Sequence, residues 1–247
     1  MKACTLIPVY EHGATLGAVV DALASSGLPC LVVDDGSGDA TRRALDEVAV
    51  RHPFVERIRR ERNGGKGAAL KTGYRAAIER GFSHVVQLDA DGQHDAADVP
   101  RFLDAMRAQP EALVLGVPVF DASAPRARIV ARQLSRGLVW LACLSRAVRD
   151  PLCGFRGVPL AAASAVIDAT RTGDRMEFEP ELAVRLVWRG TPVSSLPTRV
   201  VYPPGGVSHF SVRRDYPLLV ALYARLVGGM LLRAPELLRA RALEQGR

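Results

Sequence analysis

Cysteine is scarce in this sequence of 247 residues, which contains only Cys4, Cys30, Cys143 and Cys153. The four lie far apart, and none belongs to a Cys-x-x-Cys pair. This spacing excludes a dense disulfide framework and disfavours a zinc site. We therefore expect four reduced cysteines in or near the core of a cytoplasmic protein.

Long apolar runs and aromatic residues are also few. The first apolar stretch is cut at Pro8 and Glu11, so we expect no secretory signal, and no uninterrupted apolar run reaches the length that spans a bilayer. Aromatic residues make up 6% of the chain, and no motif typical of DNA or RNA readers occurs. The net charge of +7 therefore indicates a phosphate-rich ligand or an anionic membrane as partner, and not nucleic acid.

The chain alternates short apolar strands with amphipathic helices. Strands are predicted at residues 2–9, 30–33, 54–58, 85–88 and 112–117, with helical spacing between them, and Thr15 is the predicted N-cap of the first helix. Polar and acidic residues follow the strand ends, where open α/β sheets bind ligands. The pattern predicts an α/β fold with a doubly wound, mostly parallel sheet flanked by helices.

Two carboxylates stand one residue apart directly after the apolar strand predicted at residues 85–88, in Asp89-Ala90-Asp91. Carboxylates at this spacing repel each other and resist burial. A hard divalent cation, held by a few carboxylates and completed by substrate phosphates, would offset that charge. The alternative is a polar exit from the strand with two solvated aspartates.

A glycine-rich turn, Gly64-Gly65-Lys66-Gly67, precedes the third helix. Such a turn exposes backbone N–H groups at a helix N-terminus, and a lysine there completes an anion cradle. It is not a P-loop, because the spacing and the Ser or Thr after the lysine are missing. The alternative is a simple turn.

In the second part of the chain, basic residues alternate with apolar ones. Residues 121–149 predict either an amphipathic helix with a solvated basic face or a surface for an anionic or lipidic substrate. Residues 150–156 are predicted as a turn-rich loop, and residues 192–202 as a further strand. Residues 216–238 predict a terminal helix that either packs on the domain or lies in a membrane interface.

Five motifs in this order resemble glycosyltransferase family 2, whose members are inverting enzymes with the GT-A fold. They are Ile7-Pro8-Val9-Tyr10, Val33-Asp34-Asp35-Gly36-Ser37, Asn63-Gly64-Gly65-Lys66-Gly67, Asp89-Ala90-Asp91-Gly92-Gln93-His94, and Asp150 with Gly154-Phe155-Arg156. The subgroup they most resemble transfers sugars to polyprenyl phosphates, and later stretches resemble a bacterial branch associated with aryl-polyene pigments. The resemblance implies one domain with a nucleotide-sugar half at 1–117, an acceptor half at 118–210 and a helical segment at 211–247.

The resemblance also implies roles for individual residues. It assigns the nucleotide sugar to Pro8, Tyr10, Glu11, Asp35, Lys66, Asp89 and His209, a Mg²⁺ or Mn²⁺ ion to Asp89, Asp91 and Gln93, and the acceptor to Arg126, Arg128, Arg132 and Arg156. Three positions depart from the family pattern. Glu11 stands where the family often has an Asn followed by a Glu. Val117 replaces an arginine that contacts phosphate, and His209 replaces a lysine that contacts the donor phosphates.

The predicted reaction is transfer from a UDP- or GDP-sugar to a lipid or lipid-phosphate acceptor, by an enzyme in the cytoplasm or on the inner face of the cytoplasmic membrane. A phosphate acceptor is already an anion, whereas a hydroxyl acceptor needs a general base. Asp150 is the first candidate for that base, with Glu177 and Glu179 as weaker ones, although an Asp before Pro151 is also a common turn residue. The alternatives are a non-catalytic nucleotide- or lipid-binding protein and a nucleotidyltransferase.

Overall fold

The structure is a computed structural model that describes residues 1–120, 126–201 and 211–245. Strands and helices alternate over the first half, and helices dominate the second. The strands are β1 (Ala3–Val9), β2 (Cys30–Asp34), β3 (Val55–Arg59), β4 (His84–Gln87), β5 (Leu113–Phe120), β6 (Arg156–Pro159) and β7 (Val193–Val200). The helices are α1 (Gly13–Leu23), α2 (Asp39–Arg51), α3 (Lys66–Glu79), α4 (Val99–Ala108), α5 (Arg126–Cys143), α6 (Leu160–Ala169), α7 (Phe178–Trp188) and α8 (Val212–Gln245).

All seven strands form one sheet in the order β3-β2-β1-β4-β6-β5-β7. Its pairings are parallel except where β6 lies antiparallel between β4 and β5. Because β1, β2 and β4 are parallel neighbours, the polar residues that follow them meet at one edge of the sheet.

The sheet is buried on both faces, which explains why β2 and β4 consist of buried residues throughout. One apolar cluster joins the sheet to α3, α5, α6, α7 and α8. A second cluster, on the other side, joins it to α1, α2 and α4. The predicted doubly wound, mostly parallel sheet is confirmed.

Two local predictions are wrong. Helix α1 begins at Gly13 without a side-chain cap, and the Thr15 hydroxyl instead donates to the carbonyl of Ala90 at 2.6 Å. Strand β6 falls partly in the segment predicted as a loop. It has four residues, one of them Gly157, where a Cβ would lie 2.5 Å from the Met106 sulfur. So short a strand carries no periodicity, and it forms only because β4 and β5 supply its partners.

The C-terminal helix α8 packs along α5 and α7. The Glu181 carboxylate, fully buried on α7, accepts from Arg225 of α8 at 2.9 Å and from Arg185 at 2.8 Å. Gly229 of α8 lies against the Trp188 ring. By length and composition Arg213–Arg239 could also cross a membrane, with mean hydropathy 1.4, but 22% of that apolar window is buried against the domain. One face of α8 is thus part of the core, and the other is exposed.

Candidate active site

Five of the predicted donor residues, Pro8, Tyr10, Asp35, Lys66 and Asp89, line one cavity of about 1560 Å³ at the carboxyl edge of the sheet. Pro8 is the last residue but one of β1, Asp35 follows β2, and Asp89 and Asp91 follow β4. The cavity wall also includes Gln93. The parallel topology therefore brings together residues up to 85 positions apart in the chain, counted from Pro8 to Gln93.

Lys66, the first residue of α3, sits between two carboxylates. Its Nζ lies 2.7 Å from Asp89 Oδ1 and 2.7 Å from Glu179 Oε2. Burial alone would raise the pKa of Asp89, but Lys66 lowers it below the ordinary value. Burial alone would lower the pKa of Lys66, and the two carboxylates instead raise it. Both groups are therefore charged at neutral pH.

Asp91 differs from Asp89 in its partners and in the direction of its pKa shift. Its Oδ1 accepts from the backbone N–H of Gln93 at 3.0 Å, and it forms no ion pair within the described residues. Burial and, next, the neighbouring Asp89 raise the pKa of Asp91. An uncompensated carboxylate beside a second one, in a cavity, fits a hard divalent cation.

No group of three or more His, Cys, Asp and Glu side chains could hold a metal in the described parts of the chain. A cation at Asp89 and Asp91 would therefore take its other oxygen ligands from substrate or water. The Gln93 side chain lines the same cavity, and its role at the metal stays a prediction.

The glycine turn is built differently from the predicted anion cradle. The Asp35 carboxylate accepts from the N–H groups of Gly64 at 3.1 Å and Gly65 at 2.7 Å, and from Arg60 at 2.8 Å. Gly65 has a φ of 102°, a backbone conformation that favours glycine. The N–H groups of the turn thus bind a carboxylate of the protein itself. Lys66 is the cation of this turn that lines the cavity.

Glu11 does not form part of the cavity wall. Its carboxylate accepts from the N–H of Gly38 at 2.8 Å and from the Thr41 hydroxyl at 3.1 Å, at the start of α2. A carboxylate at a helix N-terminus satisfies unpaired N–H groups and is favoured by the helix dipole. Glu11 therefore caps the start of α2, and its contact with the nucleotide sugar stays a prediction.

The predicted acceptor residues divide into different environments. Arg132 on α5 lines the cavity and donates to both oxygens of Asp150, at 2.7 and 2.8 Å. Arg156 corrects our expectation, because it is fully buried and its three nitrogens donate to carbonyls of the core. Arg126 is exposed at the start of α5, whereas the Arg128 side chain and His209 lie outside the described residues.

A sequence profile of glycosyl transferase family 2 matches residues 4–144, which is more than half of the chain. The chain belongs to glycosyl transferase family 2. The match confirms the family predicted from the five motifs.

Two curated relatives show how far this family 2 chain resembles known members. It is 39% identical over 111 residues to an undecaprenyl-phosphate mannosyltransferase of Micrococcus luteus, covering 43% of this chain and 45% of that protein. It is 36% identical over 110 residues to a polyprenol monophosphomannose synthase of Mycolicibacterium smegmatis, covering 43% of this chain and 42% of that protein. The chain thus spans a little under half the length of these relatives. The finer resemblance to the aryl-polyene branch stays a prediction.

A solved structure shares the fold of the family 2 chain. It is glucosyl-3-phosphoglycerate synthase from Mycobacterium tuberculosis in complex with Mn²⁺ and uridine-diphosphate-glucose. The TM-score is 0.64 at 19% identity, over 94% of this chain and 78% of that one. The comparison confirms the GT-A fold that the motifs implied.

Sequence reasoning missed the position of Glu179 in the family 2 site. We considered it only as a weak candidate for a general base, whereas its carboxylate is buried against Lys66. The signal was available in Phe178-Glu179-Pro180-Glu181, because acidic residues that begin an apolar helix and become buried need cationic partners. The arginines Arg175 and Arg214 also line the cavity and were not predicted.

Proposed function

We propose that this chain transfers a sugar, with inversion, from a UDP- or GDP-sugar to a lipid phosphate, with Mg²⁺ or Mn²⁺ bound at Asp89 and Asp91. The observation that carries this proposal is the continuity of the cavity. Its polar end holds Asp35, Lys66 and the two aspartates, and its other end is lined by apolar residues of α5 and α8. A polar nucleotide sugar and an apolar acceptor require these two environments side by side.

The polar end supports binding of a nucleotide diphosphate. Lys66 faces the cavity as a charged ammonium, and Pro8, Tyr10 and Asp35 form the wall where the base and ribose would lie. A divalent ion at this end would neutralise the diphosphate as the glycosidic bond breaks. The structure of glucosyl-3-phosphoglycerate synthase, which has a similar fold and contains Mn²⁺ and UDP-glucose, supports the same choice of ligands.

The Arg132–Asp150 pair favours a phosphate as the acceptor group. Both oxygens of Asp150 accept from Arg132, and one also accepts from the Leu152 N–H at 2.8 Å. A carboxylate held by a guanidinium is poorly placed to accept a substrate proton. Arg132, in contrast, can present a cation to an incoming phosphate. A phosphate oxygen is already an anion, so this reaction needs no general base.

The apolar walls support a lipid chain and contact with a membrane. Leu134, Leu138 and Leu141 line the cavity from α5, and Val220 and Val227 line it from α8. Leu134 is 67% exposed and Val220 is 66% exposed. Exposed apolar side chains on neighbouring helices, in a chain of net charge +7, are typical of proteins that bind the surface of an anionic membrane. We therefore propose a peripheral location on the cytoplasmic membrane.

The proposal is tested by incubating the protein and Mn²⁺ with UDP- and GDP-sugars and one of two acceptors, a polyprenyl phosphate or the polyprenol of equal length. We expect transfer to the phosphate and not to the alcohol. Arg132→Gln should raise the KM for the acceptor about ten-fold, by loss of a charged hydrogen bond. Arg136→Gln is the matched control, because Arg136 lies over the Trp140 ring and is not among the residues that line the cavity.

Two results would contradict the proposal. Transfer to the polyprenol alone would support a hydroxyl acceptor, and a large loss of turnover in Asp150→Asn with normal donor binding would then identify Asp150 as the base. Absence of transfer from every donor, with intact nucleotide binding, would support a non-catalytic binding protein.

A further inference from the structure

Glu179 is held in place by a buried chain of hydrogen bonds. Its Oε1 accepts from Gln87 Nε2 of β4 at 2.7 Å, and the Gln87 Oε1 accepts from the Tyr74 hydroxyl of α3 at 2.7 Å. All three side chains are buried. One oxygen of Glu179 is therefore fixed by the core, and the other is directed at Lys66, 2.7 Å away.

The Lys66 ammonium is therefore shared between two carboxylates. It lies at the same distance from Glu179 and from Asp89, one of the two carboxylates proposed to hold the metal. An ammonium in contact with Asp89 neutralises that carboxylate and competes with a divalent cation for it. A second anion in contact with the same ammonium weakens the hold of Lys66 on Asp89.

We infer that Glu179 is a positioning residue of the donor site, which shares the Lys66 ammonium with Asp89 and so determines how readily Asp89 binds a divalent cation. The inference rests on the proposed function, because it takes Asp89 as a metal ligand. Glu179 does not itself touch the metal or the reacting atoms. It acts through Lys66, which it keeps in place for the donor diphosphate.

Two substitutions should change the affinity for Mn²⁺ in opposite directions when no nucleotide is present. Lys66→Met removes the competing ammonium, so Mn²⁺ should bind about ten-fold more tightly. Glu179→Gln keeps the shape and an oxygen for Gln87, but removes the charge that shares the Lys66 ammonium with Asp89. Lys66 then pairs with Asp89 alone, and Mn²⁺ should bind about ten-fold more weakly, a change typical of residues next to metal ligands.

The experiment is a Mn²⁺ titration of the full chain, with free Mn²⁺ measured by electron paramagnetic resonance and the unfolding midpoint of each variant recorded in parallel. Lys71→Met is the control. Lys71 also lies on α3 and loses the same charge, but it pairs with Asp174 and not with Asp89. The Mn²⁺ affinity of Lys71→Met should stay within about two-fold of the wild type, because the Lys71 ammonium pairs with Asp174 and does not compete with a cation for Asp89.

Opposite shifts in the two variants would support the inference. Shifts in the same direction would overturn it, because a merely structural role weakens the site in both cases, while Mn²⁺ binding by the wild type would leave the proposed function intact. If the wild type binds no Mn²⁺ even with UDP- or GDP-sugar, the metal site of the proposed function fails and the inference fails with it. If Glu179→Gln does not fold, Lys66→Met decides: tighter binding supports the inference, and unchanged or weaker binding overturns it.

Discussion

Gly154 lies directly against the carboxylate of Asp89, and this contact gives a direct test of the site. A Cβ at position 154 would stand 2.6 Å from Asp89 Cγ and 2.8 Å from Oδ1. Non-bonded atoms of this kind normally stay about 3.5 Å apart or more, so the Asp89 carboxylate must move by about 1 Å in the Gly154→Ala variant. The backbone at 154 cannot retreat freely, because its carbonyl accepts from the buried Gln87 at 3.1 Å.

We expect Gly154→Ala to lower kcat/KM for sugar transfer about 100-fold. A displacement of about 1 Å at a site that orients substrate typically has this effect, which corresponds to about 2.7 kcal/mol of transition-state stabilisation. The assay is initial-rate kinetics with saturating Mn²⁺, together with the unfolding midpoint. Gly17→Ala is the control, because a Cβ there meets nothing within 4 Å on α1. It should keep full activity and gain slightly in stability, as alanine is favoured over glycine in a helix. Activity of Gly154→Ala within three-fold of the wild type, in a folded protein, would refute the placement of Asp89 in the site.

Three further predictions concern stability and reactivity. Burial and Asp89 raise the pKa of Asp91 in the folded protein above its value in the unfolded chain. The protonated Asp91 carboxyl therefore stabilises the folded protein fully at pH values below the unfolded-state pKa, and this stabilisation is lost as the pH rises through the folded-state pKa. Asp91→Asn should therefore be more stable than the metal-free wild type at pH 7.5, with the difference narrowing toward pH 4 in urea unfolding; an equal pH dependence of both proteins would contradict this. Glu181→Gln should lower Tm by roughly 10 °C in calorimetry, because it removes the fully buried carboxylate that pairs with Arg185 and Arg225, whereas the exposed Asp104→Asn should change it little. Burial raises the pKa of all four cysteines to about 12, so a thiol reagent should label them only after unfolding, and fast labelling of the folded protein would count against their burial.

The nucleotide half of the fold was predictable because its signals are local. Each apolar strand ends in a polar turn, and parallel pairing places those turns at one edge without any knowledge of side-chain contacts. Asp35, Lys66, Asp89 and Asp91 could therefore be placed in one cavity from the sequence. Their partners could not, since the ion pair from Lys66 to Glu179 spans 113 residues, counted from 66 to 179.

Two predicted ligand contacts have partners within the protein that the sequence did not reveal. The roles of Glu11 and Arg156 as ligand contacts came from the family resemblance. In the structure each pairs with groups of the protein itself: Glu11 accepts from the Gly38 N–H and the Thr41 hydroxyl at the start of α2, and Arg156 donates to three buried carbonyls. Unpaired backbone groups are costly when buried, and a sequence does not indicate where they occur. The two alternatives for the terminal helix were likewise not exclusive, because α8 packs with one face and exposes the other.

The charges around the cavity favour binding of donor and metal together. Asp35 pairs with Arg60, Asp89 and Glu179 share Lys66, and Asp91 alone among these carboxylates lacks an ion pair within the described residues. A diphosphate entering without a cation would meet the negative charge of Asp91, and a cation entering alone would have to displace Lys66 from Asp89. When both enter, the phosphates attract Lys66 and the cation compensates Asp91. Donor and Mn²⁺ should therefore each increase the affinity of the other, and by the same factor, since coupling between two binding equilibria is reciprocal. Donor affinity that is independent of Mn²⁺ would show that the charge of Asp91 is compensated in another way.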